Sequence, residues 1–138
     1  MIRSYPIKKV LCSVGASAGL PCLSLETTED DSIKEQNVNA VIEELLSFTR
    51  LRNVLVSGDL MKQPELVTVI RGLSGRGKRV IFLVPASCPI ETVRLARGLK
   101  IIMVADAPTS KSNDFDPRNL QYLKEGDEIV MNIPSLKA

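Results

Sequence analysis

A chain of 138 residues, 44% hydrophobic and 25% charged, is long enough for one domain with a real core, and no apolar run in it approaches the ~20 residues of a membrane-spanning helix. A net charge of +2 and an aromatic content of 4% give little reason to expect a nucleic-acid partner. The chain has no histidine, which removes Ser-His and Cys-His nucleophilic systems, histidine general bases and most zinc sites.

The opening Met1-Ile2-Arg3-Ser4-Tyr5-Pro6 lacks the apolar stretch of a signal peptide, so a cytoplasmic location is expected. Lys8–Val14 and Cys22–Leu25 read as strands. Ser32-Ile33-Lys34-Glu35 then reads as a capping box, with Val38, Val41, Ile42, Leu45 and Leu46 on one helical face behind it. Asn53–Ser57 is the next strand. Pro64 suits a first helical turn, Leu66, Val69, Ile70 and Leu73 continue that helix, and Gly75 or Gly77 can close it. Strand Arg79–Val84 follows. Cys88-Pro89-Ile90-Glu91 predicts a third helix with Val93, Ala96 and Leu99 inward. After strand Lys100–Ala105 and a polar loop, Asp116-Pro117 starts a short fourth helix carrying Leu120 and Leu123 and ending near Gly126. Glu128–Ile133 is the last strand. Val54-Leu55-Val56, Val80-Ile81-Phe82-Leu83-Val84 and Ile101-Ile102-Met103-Val104 are continuous apolar runs, as in strands buried on both faces. The alternation predicts a single α/β domain over residues 1–138, a parallel sheet with flanking helices. An open doubly wound sheet and a partial (β/α) barrel both fit.

In either architecture ligands meet the carboxyl ends of the strands. Ser57-Gly58-Asp59 is the sharpest signal there: Gly58 lets backbone amides approach a ligand, and Asp59 can accept from an amine or hydroxyl. A tight turn with Asp59 opening a helix explains the same residues. Asp106 and Lys111 form either a polar pair over the sheet or a loop ion pair. These five residues, Ser57, Gly58, Asp59, Asp106 and Lys111, are the candidate ligand-binding set; no catalytic residue and no metal ligand is assigned. Gly15–Gly19 lacks a phosphate-loop pattern and reads as a plain turn. Cys88 lies near a predicted helix N-terminus, which lowers a thiol pKa, yet without a histidine beside it a capping or packing role is the better reading. Cys12 and Cys22 alternate with apolar neighbours as core residues do, and an odd number of cysteines argues against a disulfide framework. Arginine and lysine cluster at 50–52, 71–79 and 94–100 and read as solvated faces.

The ordered series of segments resembles the 7-carboxy-7-deazaguanine synthases, radical S-adenosylmethionine enzymes of the queuosine pathway. Ile7–Gly15 followed by Ala18-Gly19-Leu20-Pro21-Cys22-Leu23-Ser24-Leu25 is similar to the family's opening strand, its "S-I-Q-G-E-G" loop and the "G-x-P" before the first barrel strand. Ser57-Gly58-Asp59-Leu60-Met61-Lys62-Gln63 resembles "S/T-G-G-E-P-L-L-Q", and Leu83-Val84-Pro85-Ala86-Ser87 stands where the family has "E-T-N-G-T". Asn119-Leu120-Gln121-Tyr122-Leu123 with Asp127-Glu128-Ile129 is similar to the closing "N-L-x-x-L-x-x-x-D-E-I".

The resemblance implies a partial (β/α) barrel of radical-SAM type, a [4Fe–4S] cluster and S-adenosylmethionine. The departures fall on those functions. The cysteine loop that should follow Leu25 is replaced by Glu26-Thr27-Thr28-Glu29-Asp30-Asp31, and cluster ligation needs thiolates. Leu60 stands where a glutamate would hold the amino group of S-adenosylmethionine, and the opening loop has lost its glutamate near Ala16. The expectation is a degenerate, cluster-free relative without bound cofactor. It would act by binding a small molecule at the strand ends or through a protein partner. The alternatives are a small enzyme of other chemistry using Asp59, Asp106 and Lys111, and a structural or interaction protein, dimeric through a sheet edge or helix face.

Overall fold

The continuous apolar runs become the centre of a six-stranded sheet. In the computed structural model, which describes residues 1–13, 15–94, 96–106 and 116–132, the strands are β1 (Lys8–Leu11), β2 (Pro21–Glu26), β3 (Asn53–Ser57), β4 (Arg79–Pro85), β5 (Leu99–Asp106) and β6 (Glu128–Asn132). They lie side by side in chain order. β1 pairs antiparallel with β2, while β2 through β6 are parallel. The first pair is a hairpin whose connection is too short for a crossover, so the sheet is mixed rather than wholly parallel.

The strand order lacks the mark of a doubly wound sheet. A doubly wound sheet needs a point where the strand order reverses. Here the order advances in one direction, and right-handed crossovers then place every connecting helix on the same face. α1 (Val38–Ser47) joins β2 to β3, and α2 (Leu66–Gly75) joins β3 to β4. Alternate strand residues divide accordingly. Leu25, Val56, Phe82 and Met103 face the helices and pack with Val41, Leu45, Leu66, Ile70 and Leu73. Leu55, Ile81 and Ile102 point to the other face, where Cys12 and Cys22 join them. Both cysteines are therefore core residues, as their spacing predicts.

That second face is crossed by the β1–β2 connection. Its Gly15–Ser17 turn of 3₁₀ helix reaches the amino ends of β5 and β6, where the Ala16 amide donates to the Glu128 carboxylate at 3.0 Å and Lys100 Nζ donates to Ser17 Oγ at 3.1 Å. Lys100 also pairs with Glu128 at 2.8 Å. The lysine first, then the Ala16 amide, hold the Glu128 carboxyl below the usual range. Gly15–Gly19 is thus the plain turn expected, with Gly19 at φ +89°.

Three elements differ from expectation. α1 does not begin at the Ser32 box. Gln36 is drawn into a bridge with Ile2, which keeps the backbone extended, so the helix starts only at Val38, with Asn37 as its cap. Ser32 instead donates to Asp30, and Glu35 pairs with Arg3 at 3.6 Å. The third helix shrinks to a 3₁₀ turn at Glu91–Val93, because Arg94 turns inward to bond other segments and Leu99 opens β5. The fourth is a 3₁₀ helix over Pro117–Tyr122, capped by Asp116 as expected, but it buries Asn119 and leaves Leu120 exposed. β1 stops at Leu11, short of Val14. Among the described residues no helix is long and apolar enough to cross a membrane.

Candidate functional site

Parallel pairing brings the strand ends into line. Glu26 stands opposite Ser57, Ser57 opposite Leu83, and Pro85 opposite Val104. Beyond these ends lies a cavity of about 480 Å³. Its polar wall is Tyr5, Glu26, Thr27, Thr28, Glu29, Asp59, Lys62 and Gln63; Leu83, Val84, Pro85 and Val104 form the apolar wall, and Gly58 lies at their junction. A smaller hollow of about 340 Å³ shares Thr28, Glu29, Lys62 and Gln63 with it and continues towards Arg3 and Glu35. Volumes of this size hold small-molecule ligands.

The turn after β3 builds the wall. Ser57 carbonyl accepts twice from Thr27, from its amide at 3.0 Å and its hydroxyl at 2.9 Å. The Gly58 amide continues the ladder to the Leu83 carbonyl at 3.2 Å. A Cβ on Gly58 would meet Thr27 Oγ1 at 2.3 Å and Leu66 Cδ2 at 2.8 Å, so the glycine is required by the fit of strand against helix. Asp59 Oδ1 accepts from the Met61 amide at 2.9 Å, and the Asp59 carbonyl accepts from the amides of Lys62 and Gln63. Asp59 is therefore both a turn-former and a cavity residue, but it does not open a helix, because α2 starts only at Leu66. Gln63 fastens the wall to distant chain: its Oε1 accepts from the Arg3 amide at 2.9 Å and its Nε2 donates to the Thr28 carbonyl at 2.9 Å. Lys62 pairs with Glu29 at 3.4 Å, and the Thr28 hydroxyl donates to Tyr5 at 3.3 Å.

Of the predicted residues, Gly58 and Asp59 line the cavity together. Ser57 supports it through its carbonyl and does not line it. Asp106 ends β5 opposite Asn132, and Lys111 lies outside the described residues. Leu60 is buried in the main core and turns away from the cavity. The segment Glu26–Glu29, read from sequence as a missing cysteine loop, is a principal wall. Applying the strand-end rule to β2, as it was applied to the other strands, points to Glu26. Gln63 and Tyr5 had no local signal, since their partners are remote in sequence.

The three thiols do not converge. Cys12 and Cys22 share the second core cluster, while Cys88 is buried on the helix side beyond the end of β4. Cys88 does not behave as a thiol at a helix start. Burial pushes it up to about 11, reinforced by the Asp59 carboxylate beside it and opposed by the amides of Leu60 and Met61. Cys88 is expected to resist iodoacetamide at about pH 8 in the native protein and to react once urea unfolds it. Because the folded pKa is raised, the stability linked to this thiol is complete below about pH 9 and is lost as pH rises towards about 11. The melting temperature of the parent should fall more steeply across that window than that of Cys88→Ala. Parallel profiles would show that the thiol is not shielded.

No family model matches the chain, and comparison with curated proteins gives no match.

Proposed function

We propose that this protein binds a small molecule in the cavity at the carboxyl ends of β2 to β5, on a scaffold of radical-SAM partial-barrel type that carries no radical chemistry. The observation that carries the reading is the cavity itself, where ligands of singly wound α/β proteins lodge. Its acidic groups Glu26, Glu29 and Asp59 face one lysine, across from an apolar wall. That lining suits a ligand with an amine or other donor on an apolar body.

The partial-barrel reading draws support from the unreversed strand order with all helices on one face. The donor set does not fit an iron–sulfur cluster. Thiols divided between two faces of the sheet offer no common centre, and the segment after Leu25 supplies none. Leu60, packed in the core, offers no acceptor to the amino group of S-adenosylmethionine. An enzyme working through Asp59 has less support, because that carboxylate already accepts the Met61 amide and abuts Cys88.

Two measurements test the reading. Anaerobic incubation with iron and sulfide should leave the protein without cluster absorbance; stoichiometric iron with that absorbance overturns the chemical half. A two-dimensional amide NMR screen with small amines and amine-bearing heterocycles should shift resonances at Glu26–Glu29, Gly58–Gln63 and Leu83–Val84. Shifts confined to other surfaces, or none at millimolar concentration, overturn the binding half.

A further inference from the structure

Two thiols meet in the β1–β2 hairpin. Val10 of β1 stands opposite Cys22 of β2, and Leu11 opposite Pro21. The ladder runs one step further, where the Cys12 amide donates to the Leu20 carbonyl at 2.8 Å. Cys12 and Cys22 therefore point to the same face of the sheet and are diagonal neighbours across the hairpin. Their side chains are in contact: the two thiols hydrogen-bond each other, and the Cys22 thiol also donates to the Leu20 carbonyl at 3.4 Å.

The surroundings select what such a pair can become. Both thiols are buried against Leu55, Ile81 and Ile102 in the second core cluster. A disulfide is neutral and suits that cluster. A metal ion held by two thiolates would leave a net charge among apolar side chains, and among the described residues no third histidine, cysteine or carboxylate joins the pair as a ligand. A diagonal pair is slightly wider than a relaxed disulfide spans, so closing the bond pulls on the end of the hairpin. Strained bonds of that kind are readily reduced. An odd number of cysteines argues against a permanent framework, not against one reversible bond.

Access is controlled by the segment that crosses this face. Burial first, and then the Cys12 thiol beside it, raise the Cys22 pKa, so the pair is unreactive while covered. The covering Gly15–Ser17 turn is held by the Ala16 amide on Glu128 and by Lys100 on Ser17. Contacts this near the surface open locally at small cost. We propose that Cys12 and Cys22 form a reversible disulfide that locks the β1–β2 connection onto the sheet, with that connection serving as the gate to the thiols.

A small peroxide is the oxidant. When the connection lifts, one thiolate attacks a peroxide oxygen, the O–O bond breaks, and a sulfenic acid and water are left. The second thiol attacks the sulfenic sulfur, the S–S bond forms, and a second water leaves. Two electrons pass from the sulfurs to the peroxide, and a thiol reductant returns them.

Hydrogen peroxide treatment of the full chain, followed by trypsin and mass spectrometry, tests this. Tryptic peptide 10–34 carries both cysteines and should lose the mass of two hydrogens, and dithiothreitol should restore it. Cys88→Ala should oxidise as the parent does, whereas Cys12→Ala and Cys22→Ala should form no bond within the chain. Lys100→Ala removes the contacts to Ser17 and Glu128 and should speed the oxidation about threefold to tenfold. In the oxidised protein, deuterium exchange at the Ala16 amide should slow by about tenfold or more. The proposal is overturned if peptide 10–34 keeps both thiols in peroxide, or if Cys88 takes part in the bond. It is overturned equally if Lys100→Ala oxidises at the parent's rate, or if Ala16 exchange does not respond to oxidation. One Cu(I) ion held per chain through both thiols, with no disulfide after peroxide, would reassign the pair to metal binding.

Discussion

Arg94→Ala is expected to lower stability by about 3–5 kcal/mol, read as a shift of the urea midpoint at unchanged slope. Arg94 and Asp127 form an ion pair at 2.6 Å with side chains only 8% and 3% exposed. Each also carries backbone that would otherwise be unpaired. Arg94 donates to the carbonyls of Tyr122 at 3.1 Å and Leu99 at 3.4 Å. Asp127 accepts from the amides of Ile101 at 2.9 Å and Lys124 at 2.8 Å. The pair therefore joins the turn after β4, the start of β5 and the turn before β6. Removing the guanidinium leaves a buried carboxylate without its counter-charge, which costs more than the pair itself contributes. Arg94 Nε is buried and has no partner, so the site is already imperfectly satisfied and has little slack. In a domain of total stability about 5–15 kcal/mol, that loss puts much of the population near unfolding. Asp127→Asn should be milder, because the amide oxygen still accepts one of the two backbone donors. A loss below about 1 kcal/mol for Arg94→Ala would mean that water reaches the pair and that it behaves as a surface ion pair.

This clamp also marks what sequence reading reached. The Asp127-Glu128-Ile129 motif was visible as a pattern, yet its roles come from partners remote in the chain: Arg94 for Asp127, and Lys100 with Ala16 for Glu128. Strand positions were legible because apolar runs bounded by polar residues are local. β3 has the expected ends, while β4 and β5 differ by a residue or so. Helix starts were less legible wherever a distant segment competed. Ile2 captures Gln36 and displaces the start of α1, and the inward turn of Arg94 leaves no room for a helix before β5. Asn119 gives the same lesson. It was visible only as part of the Asn119–Leu123 pattern, yet its amide donates to the carbonyls of Ala86 at 3.2 Å and Cys88 at 2.8 Å, and its oxygen accepts from the Ile90 amide at 3.1 Å. The cavity was half legible. Gly58 and Asp59 follow from the strand-end rule, whereas Glu26–Glu29 drew notice for the cysteines they replace rather than for where they stand.

Gly58→Ala should be the most damaging small change at the cavity. The added methyl would stand 2.3 Å from Thr27 Oγ1 and 2.8 Å from Leu66 Cδ2, distances that require movement. Neither neighbour moves freely. The Thr27 hydroxyl is held to the Ser57 carbonyl, its χ1 is stiff because the side chain is β-branched, and Leu66 is fully buried at the start of α2. Overpacking of this kind costs about 1–3 kcal/mol, and separating β3 from the start of α2 would add to it. Thr27→Ala alone gives up one hydroxyl bond, about 1 kcal/mol, because the Thr27 amide still serves the Ser57 carbonyl. In the double variant the worse of the two clashes disappears, so its loss should be smaller than the sum of the single losses by about 1 kcal/mol or more. Additive losses would show that Leu66 alone enforces the glycine. The same pair of variants separates fold from function at the cavity. If the glycine serves packing, the double variant recovers stability together with the ligand-induced NMR shifts at Asp59 and Gln63. If stability returns without those shifts, the absent side chain was needed for ligand approach, and the turn after β3 contacts the ligand through its backbone.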